Sequence, residues 1–218
     1  MFLGEMWEFA RDATPGRRKQ RYGDMDFDWD YRVDTTSANV SRRADLLAAL
    51  AGHRYQPSDP ELFHESIRGL NIDYREFEFL DLGSGKGRTL LMASEYPFQR
   101  IVGVEAVAAL HQAAEENIRR YRSTTQKCFQ LQSVCGDARD YRFPPAPLVL
   151  FLFNPLPEHG LRRVAASLRA SLQENPRPVF VVYHNPLLEH VLTETGCLRR
   201  VSGDARCAVF ASAEAGGG

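Results

Sequence analysis

The feature that most constrains the fold is a glycine-rich segment that joins a strand pattern to a helix pattern. The apolar run Phe77–Leu82 predicts a strand, and Gly87–Tyr96 predicts a helix that stops before Pro97. Between them the sequence reads Asp81-Leu82-Gly83-Ser84-Gly85-Lys86-Gly87-Arg88. Glycines in such a turn let the backbone approach a ligand closely and expose the N–H groups at the start of the helix. The segment therefore predicts a strand–turn–helix unit with a ligand at the turn.

Strand and helix patterns continue to alternate along the rest of the chain. Leu148–Phe153 is a continuous apolar run, typical of a strand buried on both faces of a parallel sheet. The expected fold is an α/β protein, a doubly wound sheet with helices on both faces. The predicted strands are Phe77–Leu82, Ile101–Glu105, Phe129–Cys135, Leu148–Phe153 and Val179–Tyr183, with a closing hairpin of Cys197–Ser202 and Cys207–Ala211. The predicted helices are Gly87–Tyr96, Val107–Tyr121, Glu158–Leu172 and Leu187–Thr195.

The region before this regular part has a different composition. Residues 1–40 mix aromatic residues with the basic run Arg17–Arg21, and they predict an arm that is either solvated or folded over a ligand site. Residues 41–75 predict a helical cap region with helices at Ser41–Gly52 and Ser58–Gly69. Residues 76–213 then form the main domain, and 214–218 a flexible tail.

Composition and charge remove several classes of function. The formal net charge of −1 disfavours a general nucleic-acid binder, which normally carries a large positive excess. The four cysteines form no C-x-x-C pair, so no metal site is expected, and Cys135 is interpreted as a small core residue. The N-terminus lacks the pattern of a signal peptide, and no apolar run is long enough for a membrane span. We therefore expect a cytoplasmic protein without a membrane partner, and the sequence leaves its oligomeric state open.

The spacing of the glycines and the nearby acids narrows the ligand. The pattern is G-x-G-x-G, and Arg88 stands where a dinucleotide fingerprint requires a small residue. Asp81 before the turn would repel a pyrophosphate but attract an ammonium group. Glu105 ends the next strand, where a carboxylate can accept hydrogen bonds from two ribose hydroxyls. An ammonium group, a close backbone approach and a ribose together describe S-adenosylmethionine.

From about Phe77 to Ala211 the chain resembles the class I S-adenosylmethionine-dependent methyltransferases. Asp81–Gly87 is similar to their first motif, Val104-Glu105 to the second, Gly136-Asp137-Ala138 to the third and Phe151–Pro155 to the fourth. The resemblance implies a seven-stranded, mostly parallel sheet whose last strand is antiparallel, after an N-terminal helical extension. It also implies a set of cofactor-binding residues: Asp81, Gly83, Ser84, Gly85, Gly87, Glu105, Asp137, Ala138 and Asn154.

The segment upstream resembles a poorly characterised bacterial branch of this family. Val33–Thr36 and Tyr55–Pro57 look like elements that precede the first motif in that branch. This implies that Thr35 and Tyr55 lie at the methionine end of the cofactor. Tyr55 can equally be an aromatic residue that docks a helix.

The acceptor side is predicted from the ends of the strands, where open α/β sheets bind ligands. Asn154 can accept hydrogen bonds from a target amine and aim its lone pair, so a nitrogen of a protein side chain or small molecule is the expected acceptor. Leu156 departs from the amine-methylating pattern Asn-Pro-Pro-aromatic, which keeps an oxygen acceptor open. For that acceptor His184 is the candidate base, with Tyr183 or Asn185 lining the pocket. A strand-end His184 exposed to water is the alternative.

Other polar residues are expected to have ordinary roles. Lys86 and Arg88 are predicted to be charges on a helix surface, and His111 and His159 to be surface residues. Besides a methyltransferase, two functions stay open for the chain: a nicotinamide-dependent oxidoreductase, and a module that binds the cofactor without catalysis. Asp81 and Arg88 disfavour the first of these two.

Overall fold

Seven strands form a single sheet in the computed structural model, which describes residues 26–36, 57–153 and 156–216. The strand order is β3-β2-β1-β4-β5-β7-β6. β1 to β5 run parallel, whereas β7 runs antiparallel to both of its neighbours, β5 and β6. The strands are β1 Glu78–Leu82, β2 Ile101–Glu105, β3 Leu131–Cys135, β4 Leu148–Phe153, β5 Val179–His184, β6 Leu198–Gly203 and β7 Cys207–Ser212.

Helices cover the two faces of this sheet. Residues 26–31 form the short helix α1. The remaining helices are α2 Pro60–Arg68, α3 Arg88–Ala93, α4 Ala108–Arg120, α5 Glu158–Glu174 and α6 Glu189–Thr193. α5 and α6 pack on one face through Leu161, Val164 and Val191, while α2 and α3 pack on the other through Phe63, Ile67 and Leu90. The predicted doubly wound α/β architecture with an antiparallel last strand is therefore confirmed.

Period-2 alternation along the strands separates the two faces of the core. Leu80, Leu82 and Tyr183 point to the face covered by α5 and α6. The odd-numbered residues of β1, β2 and β4, such as Phe79 and Phe151, point to the face covered by α2 and α3. Asp81 and Glu105 therefore lie on the α2–α3 face, at the carboxyl ends of neighbouring strands.

Local chemistry explains where α2 begins. Asp59 accepts a hydrogen bond from the backbone N–H of Leu62 at 3.0 Å, and Pro60 occupies the first helical position. An Asp cap followed by Pro is a strong start signal, because Pro has no N–H to leave unsatisfied there. The helix starts two residues after the predicted Ser58 for this reason. The predicted helix Ser41–Gly52 lies outside the described residues.

Two predicted features differ from the structure at β3. The strand begins at Leu131 and not at Phe129, whose side chain is exposed. Cys135 is exposed, so its interpretation as a core residue is wrong. β3 lies at the edge of the sheet, and Cys135 is its last residue, where the covering layer ends. A short 3-10 helix, Ala213–Gly216, follows β7 where the tail was expected to begin.

In the part of the chain that the structure describes, no helix combines the length and the apolar character needed to cross a membrane.

Candidate functional site

The glycine-rich segment forms a tight loop, here called the glycine loop (residues 83–87), between β1 and α3. Gly83, Gly85 and Gly87 have φ angles of 85°, 54° and 80°. These are left-handed values that glycine adopts without the steric cost that a Cβ imposes. The N–H groups of Gly83 and Ser84 both donate to the carbonyl of Val104 on β2, at 2.8 and 3.1 Å. The loop is thus bound to the end of the neighbouring strand.

Glu105 at the end of β2 holds the same loop through its side chain. Oε2 accepts from the N–H of Gly85 at 2.8 Å, and Oε1 accepts from the N–H of Val107 at 2.8 Å. A carboxylate offers about four lone-pair positions, so two remain for a ligand. Glu105 therefore has a structural role that the sequence did not indicate, in addition to its predicted position beside the ligand.

Asp81 lies beneath the loop on β1 and is almost completely buried. Its carboxylate accepts a hydrogen bond from the hydroxyl of Thr89 on α3. Burial raises the pKa of Asp81 to about 7, a shift that the Thr89 hydrogen bond opposes and the charge of Glu105 reinforces. A buried carboxyl with such a pKa gains from a cationic partner, because that partner restores the solvation that burial removes.

The third predicted acid, Asp137, follows β3. Its carboxylate caps the 3-10 helix Ala138–Asp140 by accepting from the N–H of Arg139 at 2.8 Å. The Arg139 guanidinium also binds it directly, and these hydrogen bonds lower the pKa of Asp137 to about 2. The side chain of Asp137 stays partly exposed, so a ligand can reach it. The adjacent Ala138 is buried.

Lys86 and Arg88, predicted to be charges on a helix surface, are buried, and that prediction is wrong. Their side chains are 3% and 2% exposed. Lys86 Nζ donates to Asp34 Oδ1 at 2.9 Å, and Arg88 Nε donates to Thr35 Oγ1 at 2.6 Å. Both cations therefore point inward to the segment of residues 33–36. Thr35 is fully buried and bonded to Arg88.

His184 and Tyr183 end β5 on opposite faces of the sheet, so they do not line one pocket together. His184 Nε2 lies 3.0 Å from Ser66 Oγ on α2, and burial lowers the pKa of His184 to about 4. Its alternative interpretation as a water-exposed residue is wrong, since the residue is 2% exposed. Tyr183 is buried in the other face, and burial raises its pKa.

The remaining predicted residues fall into three groups. Asn154 and Tyr55 lie outside the described residues. Asn185 is exposed directly after β5 and adopts a left-handed φ of 51°. His159 is exposed as predicted, whereas His111 is half-buried and within hydrogen-bond distance of Ser133 Oγ, at 2.8 Å.

Two residues that shape this region were not predicted from the sequence. Asn117 on α4 binds both the glycine loop and the segment of residues 33–36. Gly103 on β2 leaves room for the loop, because a Cβ there would lie 2.6 Å from Ser84 Oγ. A Gly inside a strand signals a close approach of this kind, but no local pattern marks Asn117.

The residues at the carboxyl ends of β1, β2 and β3 fit the polar groups of S-adenosylmethionine. The three carboxylates of Asp81, Glu105 and Asp137 follow one another along β1, β2 and β3, which are neighbours in the sheet. A Cβ added at Gly136 would meet no described atom within 4 Å, so open space adjoins the residue before Asp137. The hydroxyl oxygen of Ser84 is buried without a hydrogen-bond partner among the described residues. Acceptors for an ammonium group, a ribose and an amino group are therefore present beside an open space. Among the described residues, no group of three or more His, Cys, Asp or Glu side chains is placed to hold a metal ion.

Comparison with known proteins adds evidence on the fold. No protein-family model and no curated protein matches the sequence. A methyltransferase from Leishmania major described as S-adenosylmethionine-dependent superposes with a TM-score of 0.51 at 12% identity, covering 70% of this chain and 72% of that one. A precorrin-6y C5,15-methyltransferase from Geobacter metallireducens gives 0.50 at 13% identity, covering 70% and 87%. An RNA methyltransferase from Salinibacter ruber, solved with S-adenosylhomocysteine, gives 0.48 at 20% identity, covering 72% and 92%.

The strand order and the structural likeness agree with each other. The resemblance implied an antiparallel last strand, and the structure shows this strand, β7, between β5 and β6. The chain therefore has the seven-stranded fold of the class I S-adenosylmethionine-dependent methyltransferases.

Proposed function

We propose that the chain is an enzyme that transfers a methyl group from S-adenosylmethionine to a nitrogen atom of a protein side chain or a small molecule. The observation that carries this proposal is the row of carboxylates at the ends of β1, β2 and β3, beside a loop of three left-handed glycines. In this fold, ligands bind at the carboxyl ends of the strands. The three acids match three hydrogen-bond donors of the cofactor: the ammonium group, the ribose hydroxyls and the adenine amino group.

Each of these residues has a distinct role in the proposal. Asp81 pairs with the ammonium group, Glu105 accepts the two ribose hydroxyls, and Asp137 accepts the adenine amino group in place of one of its contacts to Arg139. The N–H of Ala138 is directed to the adenine ring. The glycine loop, with Ser84 in it, lets the backbone come close to the ligand. The bound cofactor supplies an activated methyl group, so the protein chiefly has to orient the acceptor and exclude water.

Asn154 is proposed to orient the acceptor. It directly follows β4, whose backbone is fixed between β1 and β5, and Pro155 restricts its conformation. A neutral amide can hold an amine without protonating it, so the nucleophilic lone pair stays free. Thr35 and Tyr55 are proposed to lie at the methionine end of the cofactor.

An oxygen acceptor is the weaker alternative, because it would need a base. His184 is buried and has a pKa of about 4, so it is neutral at pH 7 but a weak base. Its Nε2 is also engaged with Ser66. The burial of His184 therefore favours the nitrogen acceptor.

The first experiment separates the proposed cofactor from a nicotinamide. Calorimetry with S-adenosylhomocysteine should show binding, and calorimetry with NAD should show none. Tight binding of NAD alone would overturn the proposal.

The second experiment tests the transfer and its acceptor. The protein is incubated with methyl-labelled S-adenosylmethionine and a fractionated cell extract, and the labelled product is tested for the acid and base stability of a methylated nitrogen. Asn154→Ala should lower turnover by roughly 100-fold while binding of S-adenosylhomocysteine stays nearly intact, since a misplaced acceptor loses its alignment. Asn175→Ala is the matched control, because Asn175 is exposed between α5 and the start of β5, at the amino ends of the strands. Full activity in Asn154→Ala together with loss of activity in His184→Gln would contradict the nitrogen acceptor.

A further inference from the structure

A network of buried polar side chains joins the segment of residues 26–36 to the glycine loop. We call this segment the N-terminal strap. Arg88, the first residue of α3, is central: its Nε donates to Thr35 Oγ1 at 2.6 Å, and one terminal nitrogen lies 3.6 Å from Asp28 Oδ1. Its guanidinium also lies 5.1 Å from the centre of the Phe27 ring. One cation from α3 therefore contacts three residues of the strap.

Asp28 faces Arg88 and binds the end of the strap through its carboxylate. Its Oδ2 accepts from the N–H groups of Thr35 and Thr36, at 2.8 and 2.9 Å, and its Oδ1 accepts from the Thr35 hydroxyl. These bonds fold residues 33–36 back against α1. The strap is thus a compact unit organised by one carboxylate that faces Arg88.

Lys86 makes a second connection from inside the glycine loop. Its Nζ donates to Asp34 Oδ1 and to the carbonyl of Thr36, both at 2.9 Å. Lys86 stands between Gly85 and Gly87, so its anchoring bears directly on the shape of the loop.

Asn117 of α4 closes the network between the two segments. Its Oδ1 accepts from the N–H of Asp34 at 2.8 Å, and its Nδ2 donates to the carbonyls of Asp34 and Lys86, at 2.8 and 2.9 Å. One buried amide therefore bonds the strap and the loop at the same time.

Packing alone does not account for buried charges at these positions. Burying a cation costs several kcal/mol before its partners compensate, and apolar side chains of similar volume often serve stability as well or better. Here two buried cations within three consecutive residues, Lys86 and Arg88, bind the same strap. Such directional bonds specify one geometry for the loop relative to the strap.

We propose that Arg88 and Lys86 are positioning residues, which dock the N-terminal strap and thereby hold the glycine loop in the conformation that binds the cofactor. This inference rests on the proposed function, because it assigns the cofactor to that loop. Docking of the strap and binding of the cofactor are then coupled. By thermodynamic reciprocity, the cofactor stabilises the docked strap as much as the docked strap favours the cofactor.

The test uses variants that remove the connection from either side. Arg88→Met keeps the length of the side chain without its charge, and Asp28→Asn removes the facing charge at nearly constant size. Each should weaken binding of S-adenosylhomocysteine by about 5- to 150-fold, the usual range for coupled sites. The double variant should lose less than the product of the two single losses, because both remove one interaction.

Hydrogen exchange supplies a readout that a merely structural role would not change. In the wild-type protein, S-adenosylhomocysteine should slow exchange at the amides of Thr35 and Thr36, which are bonded to Asp28. In Arg88→Met the ligand, added at saturation, should slow these amides much less.

Arg177→Met is the matched control. Arg177 is also buried, but it precedes β5 at the amino ends of the strands and donates to the carbonyls of Ala146, Ser171 and Asn175. Its replacement should lower stability and leave the affinity for S-adenosylhomocysteine unchanged. If Arg88→Met and Asp28→Asn behave like this control, the positioning role is wrong.

Failure of the proposed function gives a different result. If the wild-type protein binds no S-adenosylhomocysteine, the cofactor assignment fails. The docking is then tested without ligand: faster exchange of the Thr35 and Thr36 amides in Arg88→Met, which keeps their acceptor Asp28, than in wild type supports it, and equal exchange overturns it.

Discussion

The carboxyl group of Asp81 has a pKa of about 7, so its charge changes within the physiological pH range. Because burial raises this pKa above the ordinary value of 3.8, the free protein holds the group mostly protonated at pH 6 and mostly ionised at pH 7.5. An ammonium ligand requires the ionised form. Affinity for S-adenosylhomocysteine should therefore rise on the order of eightfold from pH 6 to pH 7.5.

The measurement is calorimetry at several pH values on wild type and Asp81→Asn. The variant cannot ionise at this position, so its weaker affinity should be nearly flat over the same range. An equal pH dependence in both proteins would assign the effect to another group.

Glu105 is expected to serve the loop and the ligand together. Glu105→Ala removes the acceptor for the N–H groups of Gly85 and Val107, so the melting temperature of the ligand-free protein should fall. Affinity for S-adenosylhomocysteine should fall about tenfold or more, since each charge-assisted hydrogen bond is worth roughly 1.5–3 kcal/mol.

Glu105→Gln separates the two roles of this residue. It retains the volume of the side chain and one acceptor oxygen, but its NH2 group cannot accept from the second backbone N–H, so it should recover part of the stability but not the affinity. Thermal unfolding and calorimetry on both variants provide the check. Wild-type affinity in Glu105→Gln would leave this residue only its role in supporting the loop.

Gly103 and Gly136 differ in the space that surrounds them, so their replacement by Ala should have different effects. A Cβ at Gly103 would lie 2.6 Å from Ser84 Oγ and 2.7 Å from Leu90 Cδ1, so Gly103→Ala should displace the loop and α3 from β2 at a cost of roughly 1–3 kcal/mol. Gly136 has no described atom within 4 Å of an added Cβ and does not have a positive φ. Gly136→Ala should therefore leave the melting temperature unchanged but weaken binding of S-adenosylhomocysteine, whose adenosine is assigned to that space. Unchanged affinity would move the adenosine elsewhere.

The contact between α2 and the end of β5 should make stability depend on pH. The Ser66 hydroxyl donates its only proton to the carbonyl of Phe63, so His184 Nε2 must carry a proton and donate to Ser66. Burial lowers the pKa of His184 from 6.5 to about 4, so its contribution is complete above pH 6.5 and is lost as pH falls towards 4. This loss is worth about 3 kcal/mol.

Asp81 has the opposite effect on stability: because its pKa is raised from 3.8 to about 7, it adds stability as pH falls between these values. Comparison of wild type with a His184 variant separates the two effects. Urea unfolding of wild type and His184→Gln at pH 7, 5.5 and 4 should show the wild type losing stability relative to the variant as pH falls. Parallel curves would mean that His184 does not titrate as its burial indicates. The Asp81 term is common to both proteins and cancels in the difference.

The elements of the sheet could be predicted because their signals are local. β2 and β4 match the predicted bounds Ile101–Glu105 and Leu148–Phe153, since buried parallel strands are short apolar runs between turns. The burial of Arg88 could not be predicted, because a charge at a helix start normally faces water. Its partner Thr35 lies 53 residues away, and no local pattern connects the two.

Across the entire sheet, the two faces have different chemistry. The face under α5 and α6 is apolar along its length, with mostly aliphatic side chains and the rings of Tyr183 and Phe210. The α2–α3 face is apolar in its centre but carries Asp81, Glu105 and His184 towards the carboxyl ends of the strands. The strap packs beside α3 and α4, where Val33 contacts Leu91 and Tyr121. The residues proposed to bind the cofactor and the strap thus belong to one half of the molecule, so that the proposed influence of a distant segment on the loop acts over direct contacts.

A ligand that binds at the carboxyl ends of β1, β2 and β3 should stabilise the fold as a unit, because only the folded chain brings these ends together. At 100 times its dissociation constant, S-adenosylhomocysteine should add about 2.7 kcal/mol to the free energy of unfolding. For a chain of 218 residues this corresponds to a rise in melting temperature of roughly 5–10 °C. NAD at the same concentration should give no shift, and Glu105→Gln should give a smaller shift with S-adenosylhomocysteine than wild type does. A shift with NAD and none with S-adenosylhomocysteine would show that the three carboxylates serve a different ligand.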